Sequence, residues 1–257
     1  MSKSMAAVTA IVPAAGVGKR MQSQHPKQYM KLAGKTVIEH TLAKLLASEH
    51  IEQVVVALGA EDGYFHALPI AKHPKVKIVT GGKERVDSVL AALKASEQQA
   101  STSEAWSLVH DAARPCVSTQ DIDRLILTCQ AQNTGGLLAA PVKDTMKRGS
   151  GQACSGEPHS GKNYVKTTVA REQLWHALTP QMYRTHELIQ AIELGLANDV
   201  HITDESSAIE AAGLPSMLVS ASPNNLKITQ PEDIVLAEFL LHNELGALSK
   251  STNKQEA

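Results

Sequence analysis

The stretch from Pro13 to Tyr29, PAAGVGKRMQSQHPKQY, concentrates residue types that hold phosphate. Ala14, Ala15, Gly16 and Gly18 carry little or no side chain, so backbone N–H groups there can close on an anion. Lys19, Arg20 and Lys27, with Lys31 just beyond, bring positive charge to the same segment. Arg20 offers a planar, always-charged fork, Lys27 a second cation, and Pro26 stiffens the backbone in front of it. Two familiar phosphate motifs fail on named residues. The dinucleotide fingerprint G-x-G-x-x-G requires a small residue at Met21 and a strand-end acid further on, whereas Glu39 falls within a helical pattern. The P-loop requires Ser or Thr after its Gly-Lys pair, and Arg20 follows Lys19. When a triphosphate is cleaved, charge builds on the transferred phosphorus. Paired cations on one loop suit that step better than simple retention of an anion.

Other segments supply polar groups to the same kind of chemistry. GGKERVDSV (81–89) is a glycine turn opening a helix, with Gly81 and Gly82 allowing close backbone approach and Ser88 facing back one turn later. VHDAARPCV (109–117) places Asp111 at the carboxyl end of a buried strand, where open α/β sheets bind ligands. ITDESSAIEAAG (202–213) reads as a capped helix with Thr203 as N-cap. NNLKIT (224–229) reads as the end of the sheet, with Lys227 beside a strand and suited to a second phosphate. The 11 histidines are scattered without zinc-ligand spacing, and His110 reads as packed at its strand end.

These groups must be positioned by alternating strands and helices. VTAIV (8–12), QVVVAL (53–58), KVKIVT (75–80), WSLVH (106–110) and GLLAAPV (136–142) are apolar runs suited to strands covered on both faces. Ile38, Leu42, Leu45 and Leu46 share a helical face, as do Val86, Val89, Leu90 and Leu93, and Ile122, Leu125, Ile126 and Cys129, the last set behind Ser118 and Asp121 as a cap. Further helices follow Thr185, Thr203 and Pro231. The expectation is a single Rossmann-like α/β domain over 1–248, its sheet mostly parallel with helices on both faces, and a tail at 249–257 without order. Residues 141–172 interrupt the rhythm: two strand-like segments flank the Gly- and Ser-rich 147–163, which reads as a long β-hairpin arm. Such an arm cannot bury itself on its own sheet, so it is expected to pack on a second copy as a homodimer.

Composition narrows the partners. With 25 basic and 26 acidic residues the net charge is −1, which argues against a general nucleic-acid binder. Two Phe, two Trp and four Tyr are too few for a base-stacking platform. Cys116, Cys129 and Cys154 lack C-x-x-C spacing and read as reduced thiols of a cytoplasmic protein. No run reaches the roughly 18 apolar residues of a membrane span. The N-terminal MAAVTAIVPAAG is interrupted by Thr9 and Pro13 and reads as a first buried strand, not a leader.

The pattern A-A-G-x-G-x-R-M followed by P-K-Q-Y resembles the nucleotide-binding signature of the 2-C-methyl-D-erythritol 4-phosphate cytidylyltransferases, enzymes of non-mevalonate isoprenoid synthesis. The resemblance extends from about Val8 to about Leu241. It implies CTP and a sugar-alcohol phosphate as substrates, with Mg²⁺ on the triphosphate. It further implies base and ribose contacts from Gly82, Lys83 and Ser88, and nucleotide contacts from Ala112 and Arg114. With a triphosphate expected nearby, Asp111 is a candidate to orient Mg²⁺ or the second substrate. By the same resemblance Arg20 and Lys27 serve the α-phosphorus, while Arg171 and Lys227 aim the attacking phosphate. Thr145, Thr179 and Thr203 become substrate contacts, and the arm carries Thr145 and Arg171 into the neighbour's site. The 147–163 tip is longer and more polar than that family suggests. Two other readings stand beside this one: a cytidylyltransferase for another polyol phosphate such as ribitol 5-phosphate, and a non-catalytic nucleotide sensor on the same fold. The sensor class typically lacks a charged residue of the site, whereas Arg20, Lys27, Asp111, Arg171 and Lys227 are all present.

Overall fold

The computed structural model describes residues 6–16, 26–98, 104–150 and 164–252, the last nine of these by their backbone only. The chain runs β1 (Val8–Pro13), β2 (Lys31–Leu32), β3 (Lys35–Thr36), α1 (Val37–Leu46), β4 (Ile51–Leu58), β5 (Val76–Thr80), α2 (Arg85–Glu97) and β6 (Trp106–Val109). It continues through α3 (Thr119–Gln132), β7 (Gly136–Pro141), β8 (Met146–Ser150), β9 (Tyr164–Val169), β10 (Trp175–Arg184), α4 (Thr185–Ala197), α5 (Glu205–Ala211), β11 (Met217–Ser220) and α6 (Glu232–Thr252). Seven strands form the central sheet in the order β11-β7-β10-β6-β1-β4-β5. All neighbours are parallel except β10, which runs antiparallel to both β6 and β7.

The strand period of two, with both faces covered, explains why β1 is apolar apart from Thr9. Val8, Ala10 and Val12 join Ile38, Leu42 and Leu45 of α1 and Ile122, Leu125, Ile126 and Cys129 of α3 on one face. Ile11 points the other way, into a core with Val89 and Leu93 of α2, Leu188 and Ile192 of α4 and Ile209 of α5. Helices thus cover both faces, as a mainly parallel sheet requires. A third apolar group seats α6, through Ala237 and Leu241, on Leu32, Val37, Cys116 and Ile228. Among the described residues no helix is long and apolar enough to cross a membrane.

The chain leaves β1 towards β4 and β5 on one side, then crosses back to place β6 on the other. This reversal opens a crevice at the carboxyl ends of β1 and β6, the position where such sheets bind ligands. Three features differ from the sequence reading. β10 lies at the heart of the sheet although Pro180 argues against a central strand; a register shift between Ala177 and Gln181 takes the Leu178–Pro180 segment off the ladder and resolves the conflict. NNLKIT is not a strand: Asn225 N–H closes a turn onto the Ser222 carbonyl, and the segment attaches through Ile228 N–H to the Ala113 carbonyl. The N-cap of α5 is Asp204, not Thr203, its carboxylate accepting from Ser207 N–H.

The central sheet pairs Trp175 with Pro141, and between them β8 and β9 form a separate antiparallel ladder. Tyr164 and Val165 of β9 are 65% and 64% exposed. The arm tip, residues 151–163, lies outside the described residues, and α6 continues as a helix into the expected tail.

Candidate active site

An open cleft at the carboxyl ends of β1 and β6 gathers most of the expected residues. Ala14, Ala15, Gly16, Lys27, Gly82, Lys83, Ser88, Asp111, Ala112 and Lys227 all line it. Gly18 and Arg20 lie outside the described residues.

The glycine loop enters from β1, with Ala14 N–H bonded to the Ala57 carbonyl at 2.8 Å. Buried Gln28 donates its amide to the carbonyls of Ala14 (2.9 Å) and Gly16 (3.1 Å), stitching the loop to the short 3₁₀ turn that carries Lys27. Lys27 Nζ donates to the Ile228 carbonyl at 3.2 Å, and Tyr29 Oη donates to Asp62 Oδ2 at 2.6 Å. The second loop is pinned by Gly81 N–H to the Leu58 carbonyl, and by Gly82 N–H to Ser88 Oγ at 3.1 Å. Ser88 therefore caps its own glycine turn from inside the helix. A Cβ on Gly81 would stand 2.9 Å from Ala15 Cβ and 2.8 Å from Ser88 Oγ, so the two loops meet only because glycine occupies this position.

Asp111 is the electrostatic centre. Its Oδ1 accepts from Arg85 Nε at 3.0 Å, its Oδ2 from Lys227 Nζ at 2.7 Å, and Arg114 Nε lies 3.7 Å away. Burial by itself would raise the carboxyl pKa. Arg85, Lys227 and Arg114 outweigh that and hold it well below the usual carboxylate range. Arg85 also grips Glu205 with both terminal nitrogens, at 2.7 and 3.1 Å. Beneath the carboxylate, Asp111 N–H donates to Thr179 Oγ1 (3.1 Å), which also contacts His110 Nδ1 (3.0 Å), while His110 Nε2 meets the Arg114 carbonyl (3.1 Å). The network assigns the tautomer: the Thr179 hydroxyl donates to Nδ1, and Nε2–H donates to Arg114. Burial pushes the His110 pKa down to about 4, so the ring is neutral near pH 7.

Asp111 does not fit a direct magnesium ligand. Both of its oxygens are engaged by cations, and a divalent ion there would have to displace one of them against the charge of the others.

The remaining expected residues lie elsewhere. The Arg114 guanidinium turns inward and donates to the Asn225 carbonyl at 2.8 Å. Thr179 is buried below Asp111, placed there by the β10 bulge. Exposed Thr203 stands two residues before Glu205 and does not line the cleft. Thr145 and Arg171 flank the arm strands, both exposed, with Arg171 Nη1 donating to the Lys143 carbonyl, and neither lines the cleft of its own chain. Sequence reasoning missed Gln28, Arg85 and Glu205. All three sit inside stretches already singled out, PKQY, GGKERVDSV and ITDESSAIEAAG, but no periodicity marks a polar side chain as turned inward.

A model of the family described as 2-C-methyl-D-erythritol 4-phosphate cytidylyltransferase matches residues 8–243. Proteins of that name from Colwellia psychrerythraea and Vibrio parahaemolyticus are similar to this chain. The first is 56% identical over 91% of this chain and 94% of its own length, the second 53% identical over 96% and 100%. Among solved structures, the Francisella tularensis 2-C-methyl-D-erythritol 4-phosphate cytidylyltransferase superposes with a TM-score of 0.74 at 33% identity, covering 91% of this chain and 99% of that one. A 4-diphosphocytidyl-2C-methyl-D-erythritol synthase superposes with a TM-score of 0.75, also at 33% identity, over 92% and 99%. With the cleft, its glycine loop and its cation cluster in place, these likenesses agree: the chain belongs to the 2-C-methyl-D-erythritol 4-phosphate cytidylyltransferase family, nucleotidyltransferases of the non-mevalonate route to isoprenoids.

Proposed function

We propose that this chain transfers the cytidylyl group of CTP to 2-C-methyl-D-erythritol 4-phosphate, giving 4-diphosphocytidyl-2-C-methyl-D-erythritol and pyrophosphate. The observation that carries the reading is the convergence of the glycine loop, the Ser88 helix start, Lys27 and Lys227 on one cleft at the strand ends. Ala14, Ala15 and Gly16 receive the triphosphate on their backbone, and Gly82, Lys83 and Ser88 face the cytidine. Ala112 completes that wall.

A phosphate oxygen of the sugar attacks the α-phosphorus in line. The new O–P bond forms as the bond to the β-phosphate oxygen breaks, and pyrophosphate leaves with that electron pair. The nucleophile is already an anion, so no side chain need take a proton. The work left to the protein is placement and charge neutralisation. Arg20 and Lys27 serve the α-phosphorus, and Lys227 with Arg171 aims the attacking phosphate. Mg²⁺ would arrive with the triphosphate and supply further charge neutralisation there.

Arg171 and Thr145 reach a cleft only from another copy, so the catalytic unit is a homodimer joined through the β8–β9 arm. The exposure of Tyr164 and Val165 supports that docking. The buried thiols of Cys116 and Cys129 suit the reducing cytoplasm.

The test is pyrophosphate release from CTP and Mg²⁺ with a panel of polyol phosphates. Release with 2-C-methyl-D-erythritol 4-phosphate well above that with ribitol 5-phosphate is expected. No release with the former overturns the reading.

A further inference from the structure

Arg85 and Glu205 are 120 residues apart and open two different helices, yet they form a bidentate pair beside the cleft. Glu205 is 2% exposed and does not line the cleft, so it meets no substrate directly. Its carboxylate, buried in a medium that penalises a lone charge, is matched by both terminal nitrogens of Arg85. That grip fixes the plane of the guanidinium, and the N–H on Nε reaches Asp111 Oδ1. With Oδ1 so occupied, Oδ2 faces the Lys227 ammonium at 2.7 Å. The four groups alternate in sign from the interior of the protein to the mouth of the cleft.

We infer that Glu205 is a positioning residue which, through Arg85 and Asp111, sets where the Lys227 ammonium receives the attacking phosphate. This rests on the proposed function and adds to it a residue that never touches substrate. Arg85 directly follows the 81–84 loop on the nucleotide side, and Glu205 follows Thr203 and Asp204. The relay thus ties the start of α5 to the start of α2 on one face of the sheet. Without the Glu205 charge, the Arg85 fork is released to take both oxygens of Asp111 and to compete with Lys227 for that carboxylate.

The test measures pyrophosphate release at saturating CTP as the sugar phosphate is varied, and then the reverse. Glu205→Gln should raise KM for the sugar phosphate about tenfold or more, the scale of a lost charge-assisted hydrogen bond, and leave KM for CTP within about twofold. Arg85→Lys keeps the charge but loses the fork, and should show the same split. It also serves as the readable variant if Glu205→Gln fails to fold. The deciding readout is a double-mutant cycle with Lys227→Gln on kcat/KM for the sugar phosphate. If Glu205 acts through Lys227, either substitution has little further effect in the Lys227→Gln background. Multiplying effects, or equal rises in both KM values, would overturn the inference. Wild-type turnover is the control: its absence sinks the proposed function, whereas wild-type turnover with an additive cycle sinks this inference alone.

Discussion

Acidification should weaken this fold through one side chain in particular, His110. Its ring has no exposed surface, and both ring nitrogens are engaged, by Thr179 Oγ1 and the Arg114 carbonyl. Burial, reinforced by the nearby Arg114 charge, holds its pKa at about 4 against an ordinary 6.5. Between those values the unfolded chain binds a proton that the folded chain refuses, so stability falls as the pH drops through the window. Weighting the two protonation equilibria gives ~2 kcal/mol lost between about pH 7.5 and pH 5, approaching ~3 kcal/mol below about pH 4. Asp111, one residue on, is held well below the carboxylate range by its cations and stays ionised throughout. The assay is urea unfolding followed by circular dichroism at the two higher pH values, for the wild type and His110→Gln. Glutamine has an amide to meet the Arg114 carbonyl but no group that titrates. The chain's other histidines are common to both proteins and cancel. The wild type should lose ~2 kcal/mol more than the variant over that interval. Equal losses would refute the buried, neutral ring.

Three further outcomes follow from the geometry. A Cβ on Gly16 meets nothing within 4 Å, so Gly16→Ala should leave the melting temperature nearly unchanged while raising KM for CTP several-fold by filling the phosphate cradle. A Cβ on Gly82 would collide with Asp87, so Gly82→Ala should instead cost ~1–3 kcal/mol in urea unfolding. Lys27→Ala should depress kcat far more than CTP affinity measured by calorimetry, because its principal contact is made in the transition state.

Much of the architecture was legible because its signals are local. Continuous apolar runs mark the buried parallel strands, and Ser118 marks a helix start that the structure caps through that hydroxyl, which accepts from Asp121 N–H. What escaped depends on tertiary context. β10 carries Pro180, a local signal against a central strand that a bulge overrides, and the bulge is what brings Thr179 under Asp111. At the start of α5, Thr203 and Asp204 are both good caps, and only the backbone geometry selects Asp204. NNLKIT has strand-like residues but lies where the chain turns, with Asn225 donating its side-chain amide to the Thr179 carbonyl. The cleft itself was readable through glycine spacing and strand-end position. The relay from Glu205 to Lys227 was not, since its members come from four separate segments and none repeats a spacing.

In the proposed reaction a sugar-phosphate oxygen attacks the α-phosphorus of CTP in this cleft. The most direct measurement supplies 2-C-methyl-D-erythritol 4-phosphate labelled with ¹⁸O in its phosphate, together with CTP and Mg²⁺, and follows both products by ³¹P NMR and mass spectrometry. In-line attack at the α-phosphorus gives one pyrophosphate per CTP consumed, free of label, with all the ¹⁸O retained in the diphosphate of the cytidylyl product. Label in the pyrophosphate, or CTP cleavage that proceeds without the sugar phosphate, would contradict it.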